Sequence, residues 1–194
     1  AIYILQIFVA IFIGSMLIYK EIERRTFFLL LPKPISRTEV VVGKCLGLTA
    51  TTSIVTLFST LALCVVLFLN NGTEYITPIL ISVFLSTFEA ILLILISLFF
   101  SGIMSPLMAS VTTIAFFFLG HAGALFKTVF MTTDSTFVEL VTRGSYYLLP
   151  NLEKFNIRND IVYGTLPSPS LFLIAILYAI SYATLLLIVT HIVF

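Results

Sequence analysis

The sequence predicts an all-α membrane protein, a helical transmembrane bundle with five spans in a single domain over residues 1–194. Three observations carry that prediction. Hydrophobic residues make up 60% of the 194 and charged residues only 10%, against about 25% charged in an ordinary soluble domain. Mean hydropathy is +1.17, and five stretches reach the roughly 20 mostly apolar residues that a spanning helix needs. The basic residues are not scattered, since six of the ten fall between positions 20 and 44. This composition excludes a soluble enzyme or a disordered tail, and a net charge of +1 offers no basic field for nucleic acid.

The first span runs from Ile2 to Tyr19. It has no basic n-region, and a charged cluster follows where a signal peptide would be cleaved. The run opens on Ala1 without an initiator Met, so an N-terminally truncated chain is expected. The second span runs from about Cys45 to Leu69. Its two cysteines, Cys45 and Cys64, stand roughly 28 Å apart at 1.5 Å per residue and cannot pair within the helix. The third runs from about Thr77 to Gly102, interrupted only by Glu89. The fourth runs from about Pro106 to Leu125 and the fifth from Leu171 to Phe194.

Lys20, Arg24, Arg25, Lys33, Arg37 and Lys44 place the segment 20–44 in the cytoplasm by the positive-inside rule. The turn at Asn70 to Ile76 then faces out and the turn at Met104 to Pro106 faces in. Residues 126–169 form an extracytoplasmic segment.

The cytoplasmic loop is the most informative part of the chain. Glu21 and Arg25, four apart, support a first helix, and Ile22, Phe27, Phe28, Leu30 and Leu31 give it an apolar side. Pro32 and Pro34 break it. Ser36 can cap a second helix, with Glu39 three residues on as its capping-box partner. Gly43 and Gly47 follow as a GxxxG pair that permits close helix packing. The physical reading is a short amphipathic element lying at the inner membrane face.

The order Glu21-x-Glu23-Arg24-Arg25-Thr26, Leu29-Leu30, Lys33-Pro34-Ile35-Ser36-Arg37 and Gly43-Lys44 resembles the loop of bacterial ABC-2 type permeases, the membrane subunits of ABC transporters. Arg25 stands where glycine is common in that pattern. The run from Tyr146 to Asn156 resembles the outer segment before the last span in one bacterial branch. The resemblance covers nearly all of the chain and implies six spans in a full-length protein of the bacterial inner membrane. It implies a coupling helix in the cytoplasmic loop that docks on a separate ABC ATPase subunit, which would carry the ATP and Mg. Glu21, Glu23, Arg24, Arg25 and Thr26 are the candidates for that contact, with Pro34, Ser36 and Arg37 shaping the turn behind it. It further implies a homodimer or a heterodimer with a homologous permease.

No ATPase is encoded here. A P-loop needs Gly five residues before Gly43-Lys44 and Ser or Thr after it, and the chain has Thr38 and Cys45 there. No cofactor is expected in this chain and no metal site, there being no Cys/His cluster and no HExxH or GxSxG.

Glu89 is the one acid within a span. A carboxylate there should face the bundle interior or find a partner. His121 is one candidate, since both lie roughly 20 Å from the inner turn on antiparallel neighbours. The competing reading, weighted more heavily, pairs Glu89 with Ser86 or a nearby hydroxyl as a helix-packing bond. The outer segment is long for a loop. Phe137, Leu140, Val141 and Leu148 approach helical spacing, with Glu139 and Arg143 four apart, so an outer re-entrant or interfacial helix is expected before the last span.

The leading function is the permease subunit of an ATP-driven exporter in contact with the lipid bilayer. A non-transporting membrane scaffold or assembly factor is the alternative from another class. A gradient-driven transporter using Glu89 as a proton site is the third.

Overall fold

The computed structural model describes residues 2–23, 37–133, 135–158 and 169–193, all helix, turn or loop, with no strand among them. The side chains of 17–23, 37, 38, 40, 169 and 193 lie outside the description. Seven α-helices are described: α1 Ile2–Glu23, α2 Arg37–Leu69, α3 Ile76–Ile103, α4 Pro106–His121, α5 Gly123–Thr132, α6 Thr136–Leu148 and α7 Pro169–Val193. Short 3-10 turns at Thr73–Tyr75 and Leu152–Phe155 join α2 to α3 and follow α6.

Among the described residues three helices are long and apolar enough to cross a membrane: Val41–Leu69, Thr73–Ile103 and Ser170–Ile192. They answer to the second, third and fifth expected spans. The fourth differs from expectation. It stops at His121, and α5 leaves it at 58°. The pair α4–α5 is thus either a bent crossing or a re-entrant turn. Within α1 the apolar part with described side chains is Ile2–Met16.

Helix ends follow local chemistry. Asn71 sits in the left-handed region at φ 56°, which Asn tolerates better than most residues. The Gly72 N–H donates to Leu67 O at 2.8 Å and the Asn71 N–H to Phe68 O at 3.3 Å, the bond pattern that closes a helix end over a left-handed residue. Pro106 opens α4 in its first turn, where its missing N–H costs nothing.

The centre of the bundle is α3. Leu85, Leu92, Leu93, Ile94, Leu95 and Leu98 are all buried. Helix α1 lies beside it in parallel, in a fixed register. Tyr3 meets Glu89, the Ser97 hydroxyl donates to Ile11 O at 3.0 Å, and the Ser101 hydroxyl donates to Ser15 O at 2.9 Å, each 86 residues apart. Gly14 lets the backbones approach, because a Cβ there would lie 2.8 Å from Ser97 Oγ. Without a hydrophobic drive in lipid, small residues and such bonds are what hold helices together. Parallel neighbours need a return crossing between them, and α2 supplies it. Helix α7 closes the other side of α3 through the stacked pair Phe84 and Phe172, 5.7 Å apart.

Candidate functional site at the capped end of the bundle

At the end of the bundle remote from the Met104 turn, four elements meet. Tyr3 stands near the start of α1, Glu89 inside α3 and His121 at the end of α4. Residues 149–158 fold over them as a cap. Leu152, Phe155 and Ile157 are buried in this cap and join the core with Leu85 and Ala175.

The cap is seated on glycine. A Cβ at Gly120 would lie 2.7 Å from Leu152 Cγ and 2.8 Å from the Pro150 carbonyl oxygen, and one at Gly123 would lie 3.2 Å from Asn151 Nδ2. The two glycines bracket the break between α4 and α5, so the space that frees the bend also admits the cap. On its other side the cap is tied to α7. The Asn151 N–H donates to Tyr178 Oη at 2.8 Å, the Tyr182 hydroxyl donates to Leu148 O at 3.0 Å, and Lys154 Nζ stands 4.1 Å over the Tyr178 ring.

Beneath the cap, Glu89 is fully buried. The Tyr3 hydroxyl donates to Glu89 Oε1 at 2.6 Å. His121 Nε2 lies 3.4 Å from the same oxygen and 3.3 Å from Tyr3 Oη. Its Nδ1 lies 3.1 Å from Phe117 O. Arg158, at the end of the cap, places its guanidinium carbon 3.2 Å from the centre of the Tyr3 ring and donates from Nε to Asn156 Oδ1 at 2.9 Å. A guanidinium on a tyrosine face is an attractive contact, and it joins the cap to α1. Glu89 Oε2 is buried with no hydrogen-bond partner among the described residues.

One turn deeper is a second buried polar set. Gln6 Nε2 donates to Thr56 Oγ1 at 3.0 Å and Thr87 Oγ1 at 3.3 Å, and Gln6 Oε1 accepts from the Ser86 hydroxyl at 2.7 Å. It binds α1, α2 and α3 together. Ser86 therefore serves Gln6 and not Glu89, whose partners are the Tyr3 hydroxyl and His121. The sequence reading missed Tyr3, Gln6, Gly120 and Arg158. Gln6 was detectable, as an amide in the middle of an apolar run.

The other sequence candidates lie apart from this site. Glu21 and Glu23 fall on the last turn of α1 and Arg37 on the first of α2, with side chains outside the description. Arg24, Arg25, Thr26, Pro34 and Ser36 lie outside the described residues. Gly43 and Gly47 are on α2, and among the described residues nothing lies within 4 Å of an added Cβ at either. The expected outer helix is α6, which has no fully buried residue, with Arg143 Nη1 3.7 Å from Glu139 Oε1. Cys45 and Cys64 are free thiols on α2. Among the described residues no three His, Cys, Asp or Glu side chains gather as a metal site.

Neither a curated protein nor a solved structure matches the chain. A family model described as "ABC-2 family transporter protein" matches residues 1–193. That match spans nearly the whole length, and it agrees with the apolar helical bundle and with the loop and outer-segment patterns read from the sequence. The chain belongs to the ABC-2 transporter family, and it is a membrane permease of that family rather than a catalytic subunit.

Proposed function

We propose that this chain is the permease subunit of an ATP-driven exporter of a bacterial inner membrane, with five crossings, working as a homodimer or with a homologous permease. A separate ABC ATPase hydrolyses MgATP and pushes on the loop that contains Glu21, Glu23, Arg24, Arg25 and Thr26, with Pro34, Ser36 and Arg37 shaping its turn. The observation that carries this reading is the family match over residues 1–193. Two features of the fold support it. Helices α1 and α3 run in parallel register, so a push at the loop end of α1 travels along a bonded pair to the capped end. The cap at 149–158 lies where an outer gate would be needed. The open GxxxG face of Gly43 and Gly47 suits a helix of a second permease copy.

The test is a pull-down of the full-length protein in mild detergent, wild type beside a variant with Glu23→Ala and Arg24→Ala. An ABC ATPase should come down with the wild type and be depleted from the variant. Absence of any ATPase with the wild type would overturn the reading. A second reading, transport driven by a gradient through Glu89, is favoured by the buried Tyr3–Glu89–His121 cluster. It requires activity in vesicles without ATP, and its loss in Glu89→Gln.

A further inference from the structure

The cluster under the cap is short of one hydrogen. His121 Nδ1 faces the Phe117 carbonyl at 3.1 Å. A carbonyl only accepts, so Nδ1 carries the hydrogen of a neutral imidazole and Nε2 is left with a bare lone pair. That lone pair points at Glu89 Oε1, 3.4 Å away, and at Tyr3 Oη, 3.3 Å away. Tyr3 has one hydroxyl hydrogen, and the 2.6 Å contact places it on Glu89 Oε1. With Glu89 ionised, the remaining sites where the three side chains converge are all acceptors. The opposite tautomer only moves the conflict, to Nδ1 against Phe117 O. One added hydrogen on Nε2 resolves it, since Nε2–H then donates to Glu89 and Tyr3 while Nδ1–H stays on Phe117.

The charges facing the cluster permit that state without compelling it. Arg158 on the Tyr3 ring acts electrostatically on Glu89 and on His121. It balances the Glu89 carboxylate when His121 is neutral. A charged His121 adds a second cation, which Glu153, an exposed acid of the cap within electrostatic range, helps to hold. Lys154 is turned to the Tyr178 ring. Among the described titratable side chains of α7, Tyr178 and Tyr182 lie at the cap, and the charged residues of α2, Arg37, Glu39 and Lys44, sit at its other end. The hydrogen bonds thus call for one proton more than the buried charges do, so both states are within reach of each other. The His121 side chain is 21% exposed, which gives a proton from water a way in.

We propose that Tyr3, Glu89 and His121 form a binding site for one proton, and that its occupancy holds the cap closed through Arg158. The proton comes from hydronium in the water on the capped side and forms an N–H bond at His121 Nε2, leaving by the same route. When it leaves, the Nε2 lone pair and the Glu89 carboxylate repel and the trio parts. The Tyr3 ring then moves under Arg158, and the cap loses its hold on α1. The cap is tight at low pH and loosens as pH rises. This does not depend on coupling to an ATPase, and its test involves none.

The experiment uses full-length protein in nanodiscs, with Cys45 and Cys64 replaced by Ala. Ile157→Cys reports the buried face of the cap, and Leu140→Cys on exposed α6 corrects for thiol reactivity. Maleimide labelling at Ile157→Cys, relative to Leu140→Cys, should rise on the order of tenfold between about pH 5 and about pH 9, in one single-proton step, as expected for loss of a charge-assisted hydrogen bond. In Glu89→Gln the amide donates to a neutral His121, so labelling should stay low and flat. In His121→Gln the rise should vanish. A flat wild-type profile, or a rise that survives either substitution, overturns the proposal. Should the variants fail to fold, nitrogen NMR of labelled histidine in the wild type decides. His121 Nε2 must titrate together with the labelling step, and a step without it overturns the proposal.

Discussion

Gly120→Ala tests the seating of the cap with a single methyl group. Two effects of opposite sign compete. Alanine in place of glycine favours a helix interior by about 0.5–1 kcal/mol, and Gly120 lies within α4. Against this, the new Cβ would lie 2.7 Å from Leu152 Cγ, 2.8 Å from Leu152 Cδ1 and 2.8 Å from Pro150 O. Ordinary carbon contacts are about 3.5–4.0 Å. The leucine is fully buried and the third atom belongs to the backbone, so neither yields by rotation into open space. Overpacking of this kind costs about 1–3 kcal/mol. The net expectation is a cap weakened by about 1–2 kcal/mol, or roughly a 5- to 30-fold shift toward the undocked form. Gly144→Ala on α6 is the control, because nothing lies within 4 Å of its Cβ position and only the helix preference acts. Hydrogen exchange of residues 149–158 should accelerate in Gly120→Ala and stay unchanged in Gly144→Ala, while thermal stability falls in the first and rises slightly in the second. If Gly120→Ala matched Gly144→Ala in both measurements, the close seating of Leu152 on α4 would be refuted.

Gln6→Leu removes the amide that joins α1, α2 and α3 and leaves Ser86 with only the Val83 carbonyl as acceptor. Measured bonds between membrane helices average about 0.6 kcal/mol with a maximum near 1.7, so two or three lost together should lower the detergent unfolding midpoint; an unchanged or raised midpoint would mean the network contributes nothing net. Tyr178→Phe takes away the acceptor of the Asn151 N–H and should weaken the cap by about 1 kcal/mol. Exchange at residues 149–158 should quicken while exchange in α3 holds, and equal quickening in both would count against a local anchor.

The membrane class and most of the helices were legible because they depend on runs of apolar side chains, which a sequence displays directly. The break after His121 was not, because glycine is common within spans, and neither Gly120 nor Gly123 shows what will lie against it. The constraint comes from Leu152 and Pro150, some thirty residues away. Glu89 was visible as a lone acid, and His121 was placed at the right depth. The third partner, Tyr3, looked like an ordinary aromatic near a span end. Arg158 looked like one more charge in an outer segment. Their roles come from tertiary proximity, for which sequence spacing gives no signal. The constant 86-residue offset between α1 and α3 is likewise a property of packing, and the apolar periodicity of either helix is silent about it.

The distribution of these bonds decides which part of the molecule moves. In lipid the two faces of a helix contact are about equally apolar, so what distinguishes a rigid contact from a loose one is close backbone approach and satisfied polar atoms. Helices α1 and α3 have both. Gly14 and Ser97 meet at the tightest point, Ser97 and Ser101 bond the α1 backbone, and the Gln6 amide is satisfied at both its nitrogen and its oxygen. The cap has a different kind of attachment. Three buried side chains seat it, the Tyr178 hydroxyl on α7 holds one edge with Tyr182 bonding Leu148 just before it, and the other edge rests on Arg158 over Tyr3. Remove the Tyr3 contact and the first edge still holds, so the cap should swing from its α7 side rather than detach. Elements with few buried contacts open before those with many. A push along the α1–α3 pair would then reach the cap as a displacement of Tyr3 under Arg158, and the weakest contact at that end is the one it would break first.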